Sequence, residues 1–273
     1  MFDFIARTFG YLLNFLYEIL NNYGLAIIIF SVLVKLLLLP LTIKQQKTME
    51  KTTKLQGELQ ALQFKYKNDP EKLNKEMMDM YKRENMSPFS GCLSSIVQIV
   101  LILAIFYLVR SPLTYMRKVD TETIKEYTAQ LETKTNYPEV EIIKEFGGEN
   151  EELCVNMEFL GLDLSSVPSS ELSDFRTLII PILYVVSSIV SMKMTMSMQN
   201  KRKEKKEEEQ GDSPEDIMQS TSKSMSYMMP VMAFSISLVA PLGLALYWLM
   251  SNVLMIIERI FINIFIKKKE EEA

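Results

Sequence analysis

The sequence contains no histidine. That removes the commonest general base and the commonest metal ligand together. Its two cysteines, Cys92 and Cys154, stand at no spacing that fits a metal site. The orientation reached below sets them on opposite sides of a membrane, so they are not expected to pair. No nucleotide-binding motif, nucleophile motif or pair of acids within an apolar run is present. A membrane-embedded enzyme has little to work with here. The chain is therefore expected to be no enzyme and to use no metal or other cofactor. No small-residue cleavage site follows a basic start, and no lipid-modifiable cysteine lies near it. The N-terminus is expected to be retained.

What is present is apolar residues in long runs, with charge between them. Of 273 residues, 48% are hydrophobic and 23% are charged, with a net charge of −4. A soluble domain rarely mixes the two this way, whereas membrane spans joined by charged loops do. The run from Gly24 to Ile43 is about the ~20 residues a helix needs to cross a bilayer. Lys35 interrupts it. By the helical rise, Lys35 lies roughly 12 Å inside the edge at Ile43, too deep for its stem to reach the headgroups fully. An ammonium in hydrocarbon costs at least ~2.5–3.5 kcal/mol, so Lys35 is expected to face water or polar groups in a bundle interior.

The remaining chain divides around such runs. Residues 1–22 form an amphipathic helix with Ile5, Phe9, Leu12, Leu16 and Ile19 on one face and Asp3, Arg7, Asn14 and Glu18 on the other. Its polar content suits the membrane interface, here the external one, better than a span. Residues 23–43 are the first span. Residues 44–90 carry two stripes, Leu55–Leu59–Leu62–Tyr66 and Leu73–Met77–Met80, split by Lys67-Asn68-Asp69-Pro70. They predict an antiparallel helical hairpin, with Asp69 the N-cap and Pro70 the first helical residue of its second arm. Ten basic against seven acidic residues, counted over residues 44–85, leave it at +3. Residues 91–110 are the second span, with Ser94 and Gln98 near one end. Residues 111–175 form an acidic loop, net −8 when Arg176 is included, whose middle is expected to be partly helical.

Residues 176–198 are the third span and 199–224 a charged connector. Residues 225–240 are the fourth span, 241–243 a tight turn, 244–266 the fifth span and 267–273 the tail. The alternating methionines Met192, Met194, Met196 and Met198 fall on different helix faces and read as pliable packing. Setting the hairpin, the connector and Lys267-Lys268-Lys269 in the cytoplasm satisfies the excess of inside positive charge. The odd number of spans then puts the N-terminus outside and the C-terminus inside. The expected fold is an all-α integral membrane protein of five transmembrane helices, an interfacial helix and a cytoplasmic hairpin.

Several stretches, taken in order, resemble the YidC-type membrane protein insertases in their bacterial, five-span form. YGLAIIIFSVLVKLLLLPLTIKQ is similar to that family's first core span, and YKNDPEKLNKEMMDMYKRENMSPFSGCL to its cytoplasmic hairpin and exit. FLGLDLS, from Phe159 to Ser165, is similar to the motif before the third span. MMPVMAF and PLGLALYWLMSN are similar to the last two spans. The sequence departs from the pattern at Lys35, commonly arginine in bacterial members, and near Ser191, where many carry glutamine.

The resemblance implies a hydrophilic groove open to cytoplasm and lipid, which guides nascent transmembrane segments into the cytoplasmic membrane. It implies Lys35 as a positive site for acidic tails, Gln98, Ser94 and Asn252 as polar lining, and Tyr247 and Trp248 as an aromatic wall. Met228, Met229 and Met232 become a hydrophobic slide, and Lys65, Lys67, Lys72 and Lys75 a docking face on the hairpin. The implied partners are nascent membrane proteins, the ribosome, the SecYEG translocon, the signal recognition particle pathway and membrane lipids, with no small-molecule substrate. The alternatives carried with this reading are a small transporter or channel, which also uses intramembrane charge, and an assembly scaffold that has no need of Lys35.

Overall fold

The computed structural model describes residues 2–84, 90–132, 135–171, 174–204, 228 and 230–271. Most of the connector and the start of the fourth expected span lie outside the described residues. The chain divides into two compact units, one of Asp3–Lys35 with Ile105–Ala273 and one of Leu36–Ala104. Helices dominate both: α1 (Phe2–Leu20), α2 (Tyr23–Lys65), α3 (Pro70–Arg83), α4 (Ser90–Arg110), α5 (Thr121–Gln130), α6 (Pro138–Phe146), α7 (Ile179–Glu204), α8 (Pro230–Val239) and α9 (Leu242–Glu271). Among the described residues, three stretches are long and apolar enough to cross a membrane, namely Tyr23–Thr48, Phe175–Ser197 and Leu242–Ile262, and two shorter apolar helices are Ile99–Arg110 and Pro230–Val239. The chain is thus a helical, multi-pass membrane protein.

In the first unit, α1 packs through a different face from the expected stripe. Ala6, Gly10, Leu13, Leu16 and Tyr17 are buried, while Phe4, Tyr11, Phe15 and Ile19 are exposed. The helix is apolar on more than one side, so burial is decided by which side permits close approach. Gly10 provides it, because a Cβ there would lie 2.0 Å from the Tyr115 carbonyl oxygen. That carbonyl belongs to a π-turn, Leu113–Arg117. Cation–π contacts flank the approach: Arg7 lies over the Tyr115 ring at 5.9 Å and Lys118 over Tyr11 at 3.1 Å. Phe9 meets Phe30 of α2 edge-on at 5.7 Å.

The segment from Leu113 to Leu164 buries many of its apolar residues. Leu113, Met116, Val119, Val140, Ile142, Ile143, Leu153, Val155, Met157 and Leu164 are all buried. Within it α6 buries Val140, Ile142 and Ile143, whereas α5 buries none of its residues. Glu139 is buried here as well and accepts bonds from the Thr114 amide at 2.8 Å and hydroxyl at 2.7 Å. Burial pushes its carboxyl above the ordinary range, and these bonds pull it back. Two short strands, β1 (Glu158–Phe159) and β2 (Leu162–Asp163), pair antiparallel. Leu160 and Gly161, both with positive φ (53° and 75°), form the turn between them.

This segment meets the starts of the apolar helices. The Tyr23 amide of α2 donates to the Asn156 carbonyl at 3.0 Å. At the start of α9, the Leu242 and Gly243 amides each donate over 2.9 Å, to the Ser166 and Leu164 carbonyls respectively. The Ser169 amide donates to the Leu238 carbonyl at the end of α8 (2.8 Å), and Arg110 at the end of α4 donates to the Asn136 carbonyl (3.1 Å). Within this unit α2 and α9 begin at the segment and α4 and α8 end there. The chain enters α7 directly from it, through a 3-10 turn at Phe175–Leu178.

The second unit contains the end of α2, α3 and most of α4. Asp69 caps α3 by accepting from the Lys72 amide at 3.0 Å, with Pro70 opening the helix. Arg83 pairs with Glu58 of α2, which folds α3 back along it. Met80 is buried and Leu73 and Met77 half-buried on the facing side. The ammonium groups of Lys65 and Lys72 flank the Tyr66 ring at 5.1 and 5.3 Å.

Two glycine substitutions separate packing from helix propensity. Gly10→Ala places a methyl against backbone that cannot yield and is expected to destabilise the protein by about 1–3 kcal/mol. Gly57 lies in α2, where an added methyl would meet nothing within 4 Å, so Gly57→Ala is expected to stabilise by about 0.5–1 kcal/mol. Thermal unfolding of the detergent-solubilised protein checks both, and equal shifts of the same sign would contradict the close approach at Gly10.

Candidate functional site

The first unit places polar and charged side chains inside its apolar helices. On α7, Tyr184, Ser188, Ser191 and Thr195 recur every three or four residues and share a face. Trp248, Asn252, Met255 and Arg259 recur likewise on α9. The two rows meet in register. Tyr184 stacks on Trp248 at 5.9 Å, and the Asn252 amide donates to the Ser188 hydroxyl at 2.7 Å. The Ser191 hydroxyl approaches the Met255 sulfur at 3.8 Å. Arg259 donates to the Ser191 carbonyl at 3.1 Å, to the Ser191 hydroxyl at 3.3 Å and to the Thr195 hydroxyl. Because each partner number rises with the other, α7 and α9 run parallel.

Lys35 approaches α9 from α2. Its ammonium lies 2.7 Å from Glu258 Oε2, with side-chain exposures of 27% for the lysine and 5% for the glutamate. Tyr23, Ala26, Ile27, Phe30, Ser31 and Val34 lead down the same buried side of α2, and the exposed Leu25, Ile29, Leu33, Leu36 and Leu37 lie on the other. Lys35 is twelve residues past the start of α2, roughly 18 Å along it by the helical rise. The second oxygen of Glu258, Oε1, is buried and has no hydrogen-bond partner among the described residues.

Three ionisable groups therefore lie together within apolar helices: Lys35, Glu258 and Arg259. Two cations and one anion leave one net positive charge. The guanidinium is spent on α7 and the carboxylate on Lys35. Most hydroxyls elsewhere in these helices bond back to their own backbone, as Ser31 does to the Ile27 carbonyl (2.7 Å) and Ser237 to that of Phe234 (2.8 Å). They contribute no free polar lining.

The expected site residues separate as follows. Lys35, expected to face water or polar groups, has the Glu258 carboxylate as its polar partner. Asn252 and Trp248 are engaged with α7, and Tyr247 is buried. The side chains of Ser94 and Gln98, and Met229 altogether, lie outside the described residues. Met228 and Met232 are exposed, and Lys65, Lys67, Lys72 and Lys75 are exposed in the second unit. Sequence reasoning missed Glu258 and Arg259. The signal was present, because the pair interrupts the apolar run LMIIERIFINIF just as Lys35 interrupts the first.

These features define a helical membrane protein with a compensated ion cluster in its interior. The sequence model of the 60Kd inner membrane protein family matches residues 15–270. The chain belongs to that family. It is 28% identical over 265 residues to the Membrane protein insertase YidC of Treponema denticola, an alignment covering 97% of this chain and 38% of that protein. It is 27% identical over 262 residues to the protein of the same name from Fusobacterium nucleatum, covering 96% of each. A third, from Caldanaerobacter subterraneus, is 38% identical over 107 residues, covering 39% of this chain and 52% of that one. The chain thus spans well under half the length of the Treponema relative and nearly all of the Fusobacterium one.

Lys35→Ala leaves Glu258 buried without its counter-charge. Breaking a fully buried pair costs about 3–5 kcal/mol, and the partial exposure of Lys35 sets the expectation below that range. The double variant Lys35→Gln, Glu258→Gln removes both charges and is expected to recover most of the loss. Unfolding temperatures of wild type and both variants in one detergent test this. A double variant no more stable than Lys35→Ala would show that the pair is not the source of the cost.

Proposed function

We propose that this protein is a membrane protein insertase. In this reading it guides nascent transmembrane segments into the cytoplasmic membrane through a hydrophilic groove. The observation that carries the reading is the family match over residues 15–270, in a chain whose apolar helices hold Lys35, Glu258 and Arg259. Translocating a polar tail is costly because its groups lose water in hydrocarbon. A groove that keeps water beside these charges shortens the dry path, and no bond is made or broken. Ser94, Gln98 and Asn252 add polar lining, and Tyr247 and Trp248 an aromatic wall. The incoming apolar segment leaves along the lipid-facing sides of the second and fourth spans, over Met228, Met229 and Met232, whose side chains adapt to varied shapes.

The direction of the helices supports a five-span topology. Helices α2 and α9 begin at the segment after Ser111, α7 follows it, and α4 and α8 return to it. In this reading that segment lies outside, the N-terminus with it, and the C-terminus lies in the cytoplasm. Helix α1 then lies in the outer interface, its exposed Phe4, Tyr11, Phe15 and Ile19 toward lipid. The α2–α3 hairpin falls in the cytoplasm, where Lys65, Lys67, Lys72 and Lys75 offer positive charge to the ribosome or to acidic lipid. Nascent membrane proteins are the proposed clients. The SecYEG translocon and the signal recognition particle pathway are proposed partners in delivering them.

Two experiments test this. Proteoliposomes of the purified protein are expected to insert a small single-span protein and to pass no small solutes; solute flux without insertion would instead identify a transporter or channel. For topology, Cys154 is free and exposed. In a Cys92→Ser background it is expected to react with an impermeant maleimide from outside the cell. A cysteine replacing Lys67 in a chain lacking both native cysteines should react only from the cytoplasm. Labelling in the opposite sense would reverse the orientation.

A further inference from the structure

We infer that Glu258 is a specificity-determining residue of the proposed insertion site: as the counter-ion behind Lys35, it weakens that lysine's preference for acidic translocated tails. The inference rests on the insertase reading and concerns which tails the site favours. The geometry sets the two groups at different depths. Lys35 keeps 27% of its side chain exposed, while Glu258, 2.7 Å away, is 5% exposed. An arriving tail meets the lysine first and the carboxylate only through it. The attraction of a compensated ammonium falls off as that of a dipole rather than of a charge, so an acidic tail gains less than a lone lysine would offer.

Two observations keep the carboxylate in place. Its Oε1 is buried without a donor among the described residues, so the bond from Lys35 is the one polar contact seen for it. Swinging away would cost that bond with nothing to replace it. The adjacent Arg259 is fastened to Ser191 and Thr195 of α7, which fixes the rotation of α9. Arg259 is turned toward α7, where its Nη1 donates to those acceptors. The cluster is thus one partly exposed cation muted from behind and one cation turned to a neighbouring helix.

The test uses one single-span substrate with its translocated tail made acidic by aspartates, neutral by asparagines or basic by lysines. Insertion into proteoliposomes is measured at matched amounts of full-length protein. Wild type is expected to insert acidic and neutral tails within about twofold of each other. Glu258→Gln exposes the lysine charge and is expected to raise the acidic-to-neutral ratio about threefold or more while lowering the basic-to-neutral ratio. Adding Lys35→Gln to that variant returns both ratios to near one, and Glu258→Asp stays close to wild type. The inference is overturned if Glu258→Gln leaves the ratios unchanged, or reduces all three tails in equal proportion. Should Glu258→Gln fail to accumulate, Glu258→Met, of similar volume and no charge, is measured in its place. A raised acidic-to-neutral ratio supports the inference and an unmoved one overturns it. If wild type inserts none of the three tails, the insertase reading itself fails, a result distinct from insertion with unmoved ratios.

Discussion

Charge placed in apolar helices has to be answered locally, and the way Lys35 is answered shapes the interior of this protein. Its ammonium meets Glu258, and the neighbouring Arg259 meets the hydroxyls and a carbonyl of α7. Apolar side chains of similar volume hold helices together as well as a buried ion pair does, often better, because nothing has to be desolvated. A cluster of three ionisable groups at this depth is therefore poorly explained by stability alone. In the proposed insertase reading, such charges can do what leucines cannot, which is to hold water and to discriminate between charged segments.

The segment after Ser111 solves a different problem. The first amides of a helix have no partner within it, and at the end of an apolar helix they still need one. Here the loop provides carbonyls: Asn156 for Tyr23, Ser166 for Leu242 and Leu164 for Gly243. Asn156 also donates its amide to the Tyr17 hydroxyl oxygen (2.8 Å) and its side chain to the Asn21 carbonyl at 2.8 Å. The α1–α2 corner and the α8–α9 turn are thus tied through one stretch of backbone. Phe159 covers Gly24 so closely that a Cβ there would lie 2.4 Å from its ring. The short FLGLDLS stretch gains a physical role from these contacts, which join the starts of two apolar helices.

Much of this was legible where one residue's chemistry dominated. A lysine in an apolar run demands a polar neighbour whatever the fold, and Asp69-Pro70 marks a helix start by local geometry alone. Legibility failed where choice depended on partners far away in sequence. The packing face of α1 follows from Gly10 meeting the Tyr115 carbonyl, and no periodicity within residues 1–22 contains that. The segment after Ser111 read as an acidic loop, partly helical in its middle, and which of its single, widely spaced apolar residues from Leu113 to Leu164 are buried was not contained in its pattern. Lys35 pointed to a polar site, yet its answer lay in Glu258, more than two hundred residues on.

The adjacency of Glu258 and Arg259 gives the two charges different partners. Successive helical residues point about 100° apart, so two neighbours on one helix address different neighbours in space. The parallel register of α7 and α9 matches Tyr184 with Trp248, Ser188 with Asn252 and Thr195 with Arg259. Once that register is set, Arg259 faces α7 and Glu258 has only one direction left, toward α2. The row of stacking and hydroxyl contacts between α7 and α9 therefore does more than join two helices. It fixes the rotation of α9, and with it the position of the carboxylate that compensates Lys35. Ser188, Ser191 and Thr195 do not touch Lys35, yet through α9 they set the charge it presents.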